Sequence, residues 1–62
     1  MNKQLKQFAT EAVKQSEQLT TSNEAKKRIA FAYINKKVLE NNLKDISFEE
    51  IDYAIEEAWK GM

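Results

Sequence analysis

Apolar side chains recur at three- and four-residue spacing in two stretches of this chain and surround a third on nearly all sides. In the first stretch, Leu5, Phe8, Ala9, Ala12, Val13, Ser16 and Leu19 fall on a single arc roughly 140° wide, at ~100° per residue. Lys6, Thr10, Glu11, Lys14, Glu17 and Gln18 take the rest of the wheel. This spacing predicts a one-sided helix over about 3–19. The last stretch repeats the plan: Phe48, Ile51, Ala54, Ile55, Ala58 and Trp59 fill a second arc of about 140°, predicting a helix over 47–60 with Trp59 in the core. If buried, Trp59→Ala is expected to cost ~3–5 kcal/mol.

The middle stretch, about 23–40, is different. Ala25, Ile29, Ala30, Phe31, Ala32, Tyr33, Ile34, Val38 and Leu39 spread around almost the whole wheel, so no single flat contact can cover them. This pattern allows two readings. The helix is packed between its two neighbours, or part of its surface, with Phe31, Ile34 and Val38 as the candidate residues, is an interface with a partner or a second copy.

The chain has no Pro, and its one Gly is Gly61, so the breaks must come from polar clusters. These are Thr20-Thr21-Ser22-Asn23 and Asn41-Asn42. Ser22 or Asn23 is placed to cap the second helix, with Glu24 near its positive end. Ser47 with Glu50 three residues later forms a capping box, bracketed by Ile46 and Ile51 as a hydrophobic staple, and Ser47 is expected as N-cap. Gly61 stands where a left-handed terminating residue is favoured. The fold expected is all-α: one small three-helix domain spanning 1–62.

Size then bears on association. A chain of 62 residues buries only about 60% of its unfolded surface, and small folds usually add a disulfide, a metal or an oligomer. Neither Cys nor His occurs here. Tight helix packing or self-association remains, and the lack of Cys fits a reducing compartment.

Net charge is zero, but the signs are segregated. Residues 1–44 hold nine bases against four acids, and residues 45–62 hold Lys60 against six acids. Such halves neutralise each other within one fold or between two copies. The longest apolar run, Ile29 to Ile34, is far short of the ~20 residues a bilayer span needs. Lys3, Gln4, Lys6 and Gln7 interrupt the stretch where a signal peptide would be apolar.

Candidate chemistry is sparse. Without His or Cys there is no Cys/His zinc site, Cys nucleophile or Ser-His triad, and without internal Gly there is no phosphate-cradling loop. No catalytic, metal or cofactor residue is expected. Glu49, Glu50, Asp52, Glu56 and Glu57 are read as a solvated face on the side away from Ile51 and Ile55. Asp45 to Glu50 has the look of an EF-hand exit, but counting back from Glu50 or Glu49 puts Leu39 or Val38 at the first ligand position. Lys26, Lys27, Arg28, Lys36 and Lys37 are candidates for contact with an anionic surface, including a membrane. The duller account sets them opposite the acidic third helix. Nucleic acid is disfavoured, because the second helix of a helix-turn-helix enters the major groove and here carries five acids.

One resemblance goes further. Ala12-Val13-Lys14 with Glu17-Gln18 on the first helix, a polar break, a Lys-rich middle helix, then Ile46-Ser47-Phe48-Glu49-Glu50-Ile51-Asp52 leading into Ile55-Glu56-Glu57-Ala58 resembles the C-terminal region of the phage holins of superfamily 6, the type also called LLH. The likeness covers roughly residues 9–59. It implies the soluble tail of a lysis protein whose plan is one N-terminal transmembrane helix and a cytoplasmic tail that assembles at the inner membrane. The chain would then be such a tail, or a phage or prophage protein sharing the tail without its anchor. Thr20 to Asn23 and Asn41-Asn42 stand where that plan has glycines. The family motif is a packing pattern and transfers no functional residues. The expected function is a holin-tail-like interaction and oligomerisation module, cytoplasmic or at the inner face of the cell membrane. The rival expectation is a small cytoplasmic adaptor or regulator that binds a host or phage protein.

Overall fold

The computed structural model describes residues 3–61 and contains three helices: α1 (Lys3–Leu19), α2 (Asn23–Glu40) and α3 (Phe48–Lys60). They match the predicted spans, with the third starting one residue after Ser47. No helix is long and apolar enough to cross a membrane among the described residues.

Each break has a local cause. At the first, Ser22 adopts an extended conformation and its hydroxyl accepts the Ala25 amide at 3.3 Å, which settles the choice of cap in favour of Ser22. At the second, Asn42 takes φ 52°, the Leu43 amide donates to Val38 O at 3.1 Å, and the Asn42 amide donates to Leu39 O at 3.4 Å. This is a Schellman ending with Asn in the left-handed position. The Asn41 side chain adds a 2.8 Å bond to Lys37 O. Asp45 is also left-handed, at φ 61°.

Ser47 is the N-cap of α3, accepting the Glu50 amide at 3.1 Å, and its hydroxyl faces the Glu50 carboxylate at 3.5 Å. Ile51 is buried and Ile46 packs on the same core. Gly61 differs from expectation. Its φ is −83°, inside the right-handed region, because α3 simply runs on to it and the Gly61 amide donates to Glu57 O at 3.3 Å.

Packing is centred on α1. It meets α2 and α3 broadly, whereas α2 and α3 meet each other only slightly. The picture of α2 enclosed by its neighbours is therefore corrected. The core is Leu5, Ala9, Ala12 and Val13 from α1, Ala30 and Ile34 from α2, and Ile51, Ala54 and Ile55 from α3. Four of these nine are alanines, so the helices approach closely but little apolar volume is enclosed. Ser16 is buried among them, its hydroxyl donating to Val13 O at 2.7 Å.

Because α1 covers one side of α2 only, the all-round apolar pattern of α2 leaves surface bare. Ala30 and Ile34, one turn apart, point inward. Ala32 and Leu39 are exposed, Leu39 by 78%, and Ala25 and Ile29 are half-buried.

Candidate interaction groove

The slight meeting of α2 and α3 opens a groove of about 730 Å³ between them. Phe31, Phe48 and Trp59 supply its apolar lining, and Lys27, Arg28, Asn35, Asn23 and Glu24 line it from α2. The rings of Phe31 and Phe48 stack with centroids 4.8 Å apart and planes 18° from parallel. Phe48 is nonetheless 71% exposed, and Phe31 and Trp59 are half-buried.

These positions correct several sequence expectations. Of Phe31, Ile34 and Val38, the three candidate interface residues, only Phe31 borders the groove. Ile34 is at 0% exposure in the chain's own core, and Val38 is half-buried against that core, so Ile34 offers no side chain to a partner. The apolar arc of α3 assigns Phe48 and Trp59 to the core. Phe48 is exposed instead, whereas Trp59 is half-buried and packs against the core while also lining the groove. The spacing 48, 52, 55, 59 is itself a helical stripe, and the two aromatics at its ends are the sequence signal for the groove.

α2 and α3 run antiparallel along it: Lys27 meets Asp52 and Glu56, whereas Phe31, one turn further along α2, meets Phe48 near the start of α3. The Lys27 ammonium lies 2.6 Å from Asp52 Oδ1 and 3.2 Å from Glu56 Oε1. Hydrogen bonds to Asp52 and then Glu56 hold the Lys27 pKa above its ordinary value of 10.5, against a smaller opposing effect of desolvation. Asp52 Oδ1 is shut off from solvent beneath this contact.

The other candidate cations do not form one patch. Lys26 turns to α1 and pairs with Glu17 at 2.9 Å. Lys37 reaches Glu40 at 3.8 Å on its own helix and lies 5.6 Å from the centre of the Tyr33 ring. Arg28 and Lys36 are exposed and have no ion pair among the described residues. The duller account, α2 bases facing acidic α3, therefore holds for Lys27.

The acids divide likewise. Asp52 and Glu56 face α2, while Glu57 lies beside Tyr53, and a hydrogen bond between them raises the Tyr53 pKa above its ordinary value of 10.0. Glu49, Glu50 and Glu56 are exposed, but Asp52 and Glu57 are half-buried, so the face is not uniformly solvated. No family model, curated protein or solved structure matches this chain.

Proposed function

We propose that this chain is a non-catalytic helical interaction module that presents the α2–α3 groove to another protein molecule. The observation that carries the reading is the exposure of Phe48 beside Phe31 and Trp59 in a groove α1 leaves open. Aromatic side chains are the commonest anchors of protein interfaces, and an aromatic-lined groove between two helices suits a partner helix or an inserted apolar side chain. Asp52, which is half-buried, and the exposed Glu56 are both engaged by Lys27, which leaves them poorly suited to acid–base work.

The biological setting proposed with this reading is the tail region of a phage lysis protein of the holin type. It rests on the order of motifs from Ala12 to Ala58. An in-frame apolar segment upstream, or an adjoining lysin gene, is the observation that tests it. A small adaptor uses the same groove, with a different occupant.

The groove itself is tested by replacing Asn35, which lines it, with a photo-crosslinking residue in cells that naturally make the protein. A discrete adduct is expected there, and none from the same residue at the exposed α1 position Gln7. No adduct at position 35, or equal adducts at both, overturns the proposal.

A further inference from the structure

We draw no further inference here: the strongest candidate, the second groove of about 860 Å³ between α1 and α3, is lined by the exposed Lys3, Lys6 and Lys14 along one solvated face of α1 and by Glu57 on the α3 wall opposite them, and nothing in the structure shows what occupies it.

Discussion

Phe31 and Phe48 stack 4.8 Å apart, yet Phe48 keeps 71% of its surface in water. One face of each ring is satisfied by the other, and the remaining Phe48 surface contributes nothing to the fold of the single chain. Under the proposed function, that surface is the part a partner covers.

Groove and core should therefore differ in the cost of truncation. Phe48→Ala should remove about 0.5–1.5 kcal/mol, the value of a stacked aromatic pair. Ile55→Ala, at a fully buried position, should remove about 2–5 kcal/mol. Urea denaturation at low protein concentration measures both, and a Phe48 loss equal to that of Ile55 would make Phe48 a core residue.

The N-caps can be assayed separately. Ser47→Ala and Ser22→Ala each remove an acceptor for a helix amide, at 3.1 and 3.3 Å respectively, and each should cost about 1 kcal/mol. The urea midpoint should fall while the denaturant slope stays constant, because the surface exposed on unfolding is unchanged.

At Asn42 the left-handed backbone decides the outcome. Asn42→Gly should preserve stability, since Gly enters this region freely. Asn42→Val should lose about 1–2 kcal/mol from the clash of its Cβ with the carbonyl. Thermal denaturation of the two variants gives the comparison, and equal midpoints would contradict the assigned Schellman ending.

Alkaline pH should destabilise the fold through two groups. Lys27 has a folded pKa raised above 10.5 by Asp52 and Glu56, so its contribution is complete below the unfolded value and is lost as pH rises through the folded one. Tyr53, raised above 10.0 by Glu57, acts in the same direction, since the folded state keeps a proton that the unfolded state gives up. The loss should begin near pH 10. Lys27→Met together with Tyr53→Phe should flatten it, as measured by urea midpoints across that range.

The helices were legible because their signals are local. Periodicity fixed α1 and α3, and the Ser47–Glu50 spacing marked the start of α3 to the residue. Terminators were less clear. Gly61 has the residue type of a left-handed end but continues right-handed, whereas Asn42, with no such obvious signature, carries the positive φ. The two ends differ in their C-terminal neighbours: beyond Asn42, Leu43 returns an amide to Val38 O and closes the Schellman pair.

The groove was harder to read because it depends on which helix occupies the centre. Periodicity showed that α2 is apolar all round, but not that α1 would be the helix both others lean on. With α1 central, Ile34 falls inside and Phe48 and Trp59 are left at an open seam. Pairing of Lys27 with two acids on α3 likewise needed the antiparallel register of α2 and α3, which no local spacing encodes.

Trp59 lines the groove and is the chain's one tryptophan, so its indole N–H resonance reports directly on what covers the site. If the groove is a contact surface, that resonance shifts when the isotope-labelled protein is moved from buffer into the cells that naturally make it, and the Phe48→Ser variant holds it at the buffer position. A Trp59 resonance that stays at the buffer position in both settings, in parent and variant alike, contradicts it.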